Sequence, residues 1–361
     1  MKKLILLLCL ASVLWLTASA EEATVLNLEV VDWHPGVPGY DVTYTIMADN
    51  GDHILNWKSL TFTCDTEGAT IEKNKITINE ECRNRGEDVI VTVIDNKTGA
   101  EAVIAIPVKI WTLTFADEFD GTSMDQTKWS NFETGLGNEI QVKGGLANCT
   151  VADGCMTMNL IYDADQGRWV YPSISTYGKF QQRFGCFQAK IKIPPYSGIN
   201  TAFWMLSPGS YNGSPLYYQR AVPEWACYEI DFLEISAAWT KNHDQYKKRM
   251  QSGIYWKNAE MDVARAQGIT PSPDIVPYEE YVDYTCVWLE DGLYFYCNGE
   301  LQGVEKDVSP DHGKFKAVGG YMILTVATAD SQYMIEWMGP WDFTQADAPI
   351  TASVDWVRAW E

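Results

Sequence analysis

The sequence predicts an all-β chain built as two sandwiches in series. Three observations carry this. Apolar residues alternate with period two over most of the chain, turn signals punctuate these runs, and almost no segment shows the period of an amphipathic helix. A length of 361 residues gives two domains room for separate cores.

Residues 1–20 read as a secretory leader: Lys2 and Lys3, an apolar run from Leu4 to Leu16, then the small residues Ala18, Ser19 and Ala20. A secreted, periplasmic or cell-surface protein is expected. No later apolar run is long enough to span a bilayer, so membrane insertion is not expected. Residues 21–108 follow as a first domain. Leu26, Leu28 and Val30; Val42, Tyr44 and Ile46; Leu60, Phe62 and Cys64; and Val89, Val91 and Val93 each mark one face of a short strand. This is the pattern of an immunoglobulin-like β-sandwich, here an accessory domain, because its histidines, His34 and His53, are isolated. Residues 109–361 continue the strand signature in 156–161, 184–193, 286–289, 294–297 and 354–360, as one large two-sheet sandwich. A single short helix is expected around 259–266.

Composition narrows the partners. The chain carries 48 acidic and 27 basic residues, a net charge of −21, which repels phosphate backbones and anionic lipid. No nucleic-acid partner is expected. Eight of the nine cysteines follow the leader and would meet an oxidising compartment. Cys64 and Cys82 stand alone in the first domain and are expected to pair. Cys286 and Cys297 flank Asp291-Gly292, a hairpin turn signal whose register would set them opposite each other. For Cys149, Cys155, Cys186 and Cys227 the pairing stays open.

The most informative stretch is 228–235, in which Glu229, Asp231 and Glu234 alternate with Tyr228, Ile230, Phe232, Leu233 and Ile235. In a regular strand Glu234 would point away from the other two, but one extra residue at Phe232-Leu233 brings all three carboxylates to one side. Three like charges are ruinous in a core and sensible in a wet cleft. Glu229 and Glu234 would then lie roughly 13 Å apart at Cα, and side chains leaning inward reach the ~5–5.5 Å separation of a retaining glycosidase.

Taken with its surroundings, this strand resembles that of glycoside hydrolase family 16. The resemblance covers essentially the whole second domain. It rests on seven ordered phrases: Phe-Ala-Asp-Glu-Phe-Asp-Gly at 115–121 followed by Trp129; Val-Ala-Asp-Gly at 151–154; Tyr-Gly-Lys-Phe at 177–180 leading to 185–194; Ala-Phe-Trp-Met-Leu at 202–206; the carboxylate strand; Asn298-Gly299 after an aromatic run; and Val-Asp-Trp-Val-Arg at 354–358. The resemblance implies a concanavalin-like β-jelly roll and a retaining endo-β-glycanase acting on a polysaccharide as a monomer. It makes Glu229 the nucleophile, Glu234 the acid/base and Asp231 the residue between them, with no cofactor for catalysis. Glu118 and Asp355 occupy the positions of a structural calcium site.

Sugar rings stack on aromatic faces, so Trp204 and Trp225 are the leading platforms, with Trp256 beyond them. Asn138, Glu139 and Gln141 resemble a polar family segment lining the non-reducing side. Tyr211, Tyr217, Tyr218, Trp337 and Trp341 are further aromatic candidates, and Lys179, Arg183, Lys190, Lys192 and Arg265 would supply a basic rim. Laminarinase-type members carry Gly before the nucleophile and Trp four positions before the strand Trp, where this chain has Tyr228 and Asn200. Pro223-Glu224-Trp225 and the carboxylate strand are closer to the agarase and porphyranase branch. A β-galactan is therefore the expected substrate, an endo-β-1,3(4)-glucanase the alternative, and a non-catalytic glycan-binding protein the reading from another class.

Overall fold

The computed structural model describes residues 25–132, 141–207, 228–236, 250–257, 262–269, 275–306, 319–329, 335–336 and 338–361. The chain divides into two compact units, one ending at Ile110 and the other beginning at Trp111.

The first unit contains β1 (Asn27–Val30), β2 (Val42–Asp49), β3 (Leu60–Thr63), β4 (Ala69–Glu72), β5 (Lys75–Ile78), β6 (Val89–Asp95) and β7 (Glu101–Ile106). They form a four-stranded sheet in the order β1-β2-β5-β4 and a three-stranded sheet in the order β3-β6-β7. The period-two residues Val42, Tyr44, Ile46, Ile76, Ile78, Val89, Val91 and Val93 make one core. One element departs from the strand reading. Residues Glu80–Arg85 form a short helix, α1, because Asn79 caps its start by accepting from the Cys82 N–H and Gly86 closes it at a φ of 73°. Cys82 is thus carried on a helical turn and buried, Cys64 stands half-buried beyond β3, and both thiols are free. The expected pair is not formed, although the two lie within electrostatic reach of each other.

The second unit contains β8 (Leu113–Asp117), β9 (Ser130–Asn131), β10 (Gln141–Lys143), β11 (Cys149–Ala152), β12 (Cys155–Asp163) and β13 (Arg168–Tyr171). It continues with β14 (Ser173–Ser175), β15 (Gly185–Lys192), β16 (Ile199–Leu206), β17 (Tyr228–Ser236), β18 (Met250–Lys257) and β19 (Asp262–Ile269). The last strands are β20 (Val282–Leu289), β21 (Gly292–Cys297), β22 (Glu300–Lys306), β23 (Tyr321–Thr328) and β24 (Ile350–Trp360). Two sheets result, one of ten strands and one of seven in the order β19-β18-β17-β16-β23-β14-β9. Between them Phe187 of β15 and Trp288 of β20 pack with Phe203 and Met205 of β16 and Ile230 and Phe232 of β17. Phe187 and Phe232 stack with ring centroids 5.3 Å apart. Alternation along the strand therefore turns Ala202, Trp204 and Leu206 to the outer face of the seven-stranded sheet.

Two expectations are corrected here. Of the segment read as a helix at 259–266, residues 262–266 belong to β19, paired with β18 from Met250↔Ile269 to Lys257↔Asp262, and 259–261 lie outside the described residues. So short a helix is marginal by itself, whereas a neighbouring strand satisfies its backbone donors and acceptors along its length. The hairpin between β20 and β21 turns at Glu290-Asp291, one residue earlier than expected. Gly292 is drawn into the strand where a Cβ would meet the Glu305 carbonyl at 2.4 Å. That step moves the register by two, pairing Cys286 with Phe295 and Cys297 with Tyr284 and leaving both thiols free and buried.

Candidate active site

The carboxylates are positioned by one inserted residue. On one side of β17, Leu206, Met205 and Trp204 of β16 oppose Glu229, Ile230 and Asp231, after which the register skips and Phe203 opposes Leu233 and Ala202 opposes Glu234. On the other side Tyr255 and Gly253 of β18 oppose Glu229 and Asp231, and Gln251 opposes Glu234. The extra residue is Phe232. It and Leu233 are both fully buried in the core, so the alternation resumes with Glu234 on the same outer face as Glu229 and Asp231. The carbonyl that the bulge diverts from the ladder is satisfied by Ser252, a buried hydroxyl that donates to the Phe232 oxygen at 2.8 Å.

Electrostatics at this face follows from crowding. Glu229 and Glu234 are half-buried, and Asp231, only 2% exposed, lies between them with its Oδ2 lacking any hydrogen-bond partner. Removal from water is the main force raising all three carboxyls above their ordinary range, and the Glu234 charge adds to it at Glu229. Asp231 is raised by burial first and then by the charges of Glu234 and Glu229. At Glu234 the Asn200 amide, whose Nδ2 donates to Oε1 at 3.1 Å, works in the opposite direction.

Raised carboxyl pKa values have a sign for stability. The folded state holds these protons more tightly than the unfolded chain, so stability is complete below the ordinary carboxylate range and is lost as pH rises toward neutral. Glu229→Gln is therefore expected to raise Tm by about 2–6 °C at about pH 8 and to change it little at about pH 4. Calorimetry at the two pH values checks this, and an equal shift at both would remove burial of charge as the cause.

An aromatic wall adjoins the carboxylates. Trp204, the register partner of Asp231, is half-buried on the outer face and donates from Nε1 to the Thr325 hydroxyl at 3.3 Å. Phe132 meets it edge-on at 5.4 Å, and Leu206, Tyr321, Ile323 and Tyr177 complete this second apolar cluster. Sequence reasoning missed Phe132, Tyr177 and Tyr321, and named Asn200 only as a departure from the laminarinase pattern. The signal for Asn200 was present, since it shares the period-two row of Ala202 and Trp204.

Other predicted residues fall differently. Asn138, Glu139 and Trp225, with Tyr211, Tyr217, Tyr218 and Trp337, lie outside the described residues. Gln141 opens β10, the terminal strand of the ten-stranded path, while Trp256 in β18 is the register partner of Tyr228, so Tyr255 holds the place opposite Glu229. Trp341 stacks on Phe343 at 5.1 Å. Lys190 and Lys192 sit on β15, in the other sheet from the carboxylates, and do not rim them.

The proposed calcium ligands have other partners. Both Glu118 oxygens accept from Arg358 at 2.8 Å, and Asp355 pairs with Lys190 at 2.9 Å. Among the described residues no three His, Cys, Asp or Glu side chains cluster as metal ligands. Glu118 and Asp355 are thus each engaged by a basic side chain rather than gathered with further acidic side chains. The pair Glu118–Arg358 instead ties the 115–121 and 354–358 phrases together.

The glycosyl hydrolases family 16 model matches residues 137–358, more than half of the chain, with the bulged carboxylate strand inside the match. The chain belongs to glycosyl hydrolase family 16. Among curated relatives of this family 16 chain, glucan endo-1,3-beta-glucosidase A1 of Niallia circulans is 27% identical over 214 residues, 52% of this chain and 28% of that protein. Keratan-sulfate endo-1,4-beta-galactosidase of Sphingobacterium multivorum is 25% identical over 263 residues, 70% of this chain and 55% of that protein. The chain therefore spans between about a quarter and about half of these two relatives. The laminarinase catalytic domain of Thermotoga maritima MSB8 superposes with a TM-score of 0.54 at 21% identity, over 70% of this chain and 98% of that one. A structure described with endo-acting O-glycanases of the human gut microbiota that initiate mucin breakdown gives 0.53 at 18% identity, over 70% and 91%. At these identities the likeness shows the fold, an all-β jelly roll.

Proposed function

We propose that this family 16 protein is an exported, retaining endo-β-glycanase that cleaves internal β-galactosidic bonds of a polysaccharide or long glycan. The observation that carries the reading is the inserted Phe232, which turns Glu229, Asp231 and Glu234 to one face beside Trp204. In the first step the Glu229 carboxylate attacks the anomeric carbon while Glu234 gives its proton to the departing glycosidic oxygen. The ester then formed on Glu229 carries no charge, so Glu234 more readily stays ionised and takes a proton from the water that releases the sugar. Burial and the charges of Glu234 and Glu229 raise the proton affinity of Asp231, the most deeply buried of the three, which suits it to share a hydrogen bond with a flanking carboxylate. No cofactor enters this scheme.

Two features support a β-galactoside. The keratan-sulfate galactosidase aligns over 70% of this chain against 52% for the glucanase. Asn200 and Tyr228 replace the Trp and Gly of the laminarinase type. Incubation of the mature protein with keratan sulfate, mucin glycans, agarose, porphyran, carrageenan and laminarin tests the reading. Oligosaccharides from the galactose-containing polymers support it; products from laminarin alone establish the endo-β-1,3(4)-glucanase; binding without products establishes a lectin. For the first unit we propose an immunoglobulin-like accessory sandwich, since its strand order β1-β2-β5-β4 and β3-β6-β7 matches the ABED and CFG sheets of that architecture.

Retention has its own test. Inverting enzymes hold a water between carboxyls roughly 6.5–9.5 Å apart, whereas direct attack needs about 5–5.5 Å. The first product is expected in the β configuration, with transfer to an added acceptor sugar competing with hydrolysis. Proton NMR before mutarotation checks it, and initial α product would remove Glu229 from the nucleophile role.

A further inference from the structure

Asn200 touches the proposed acid/base directly. It opens the outer-face row of β16, opposite Ser236 and one alternation before Ala202, which faces Glu234. Its Nδ2 donates to Glu234 Oε1 at 3.1 Å, and both residues are half-buried. We propose that Asn200 is a positioning residue for Glu234: its amide holds Oε1 as an acceptor, so that the proton given to the leaving sugar is carried by Oε2. The inference rests on the glycanase reading above.

The chemistry is that of an amide donor against a carboxyl group. An N–H aimed at Oε1 is satisfied whether Glu234 is ionised or neutral, so protonation occurs on the other oxygen. As the bond from the anomeric carbon to the glycosidic oxygen breaks, the proton on Oε2 moves to that oxygen, Glu229 bonds to the carbon, and Glu234 is left ionised. The same amide then stabilises the ionised form. Few other groups compete for this role. On its own strand Glu234 has Asp231 and Glu229; its register partners are Ala202 on β16 and Gln251 on β18; beyond β16 the row continues with Thr325 and Ala327 of β23. Among the described residues the adjoining strands carry three further titratable residues, Tyr255, the register partner of Glu229, and Lys257 on β18, and Tyr321, the register partner of Leu206, on β23.

Asn200→Ala and the isosteric Asn200→Asp test the assignment. Two measurements are made: the pH dependence of kcat/KM, and the Glu234 titration by carbon-13 NMR, assigned through its loss in Glu234→Gln. The Ala variant is expected to move the alkaline limb and the Glu234 titration up by about one pH unit, and the Asp variant further, because it sets a second negative charge against Oε1. On the cleaved glycan kcat/KM is expected to fall about tenfold. On a 2,4-dinitrophenyl glycoside of the same donor oligosaccharide, whose leaving group needs no proton, it is expected to stay within about twofold. Equal losses on both substrates, or an alkaline limb and titration unmoved in both variants, would overturn the proposal. If wild-type protein cleaves no glycan, the glycanase reading fails, while the titration still decides whether Asn200 sets the proton affinity of Glu234.

Discussion

Glu229→Gln and Glu234→Gln are each expected to lower kcat by about 10²–10⁴-fold while leaving oligosaccharide binding nearly unchanged. Gln preserves the size and most hydrogen bonds of Glu, so what is lost is the ability to form an ester at 229 or to carry a transferable proton at 234. The bulge makes this expectation specific. Without the extra residue, Glu234 would turn into the core, and Glu229 and Asp231 would share the outer face without the acid/base that the mechanism assigns to position 234. Initial rates on the polymer found to be cleaved, with calorimetric titration of its oligosaccharides, separate chemistry from binding. A variant retaining more than about a tenth of wild-type kcat would remove that residue from the mechanism.

Phe232→Ala is expected to cost about 3–5 kcal/mol of stability, a large fraction of what a domain of this size has. Phe232 stacks on Phe187 at 5.3 Å across the two sheets and meets Phe203 edge-on at 4.9 Å. Its removal opens a cavity at the site where the strand already departs from regular pairing. The remaining anchor is the Ser252 hydroxyl on the Phe232 carbonyl, a main-chain contact that the substitution leaves in place. The bulge should therefore survive in the folded fraction, with kcat per folded molecule reduced far less than stability. Urea denaturation and activity measured below the unfolding midpoint test both halves. A stability loss under about 1 kcal/mol would mean that the two sheets do not depend on this contact.

Much of the second unit was legible in the sequence because strands with one buried face announce themselves by alternation. The phrase at 115–121 shows why such phrases persist: Asp117 accepts from the Trp129 indole at 2.7 Å, and Phe115 and Phe119 pack around that ring. The misreadings came where local pattern was weak. Residues 259–266 are rich in alanine and carry no strong period, so the strand at β19 was decided by the open edge of β18. The Cys286 and Cys297 pairing failed because a turn displaced by one residue shifts every partner by two, and the close approach of Gly292 to β22 is a tertiary fact.

By itself the sequence determined the all-β class, the acidic character, and the three carboxylates with the need for an extra residue among them, because alternation and the cost of buried charge are local rules. Only the tertiary structure decided which residue is extra, since Phe232 and Leu233 are both apolar and the choice rests on the partners offered by β16 and β18. It likewise decided that Glu118 and Asp355 meet Arg358 and Lys190, and that Asn200 meets Glu234. Contacts between residues distant in the chain depend on strand register, and register is set by the packing of whole sheets, which no short stretch of sequence contains.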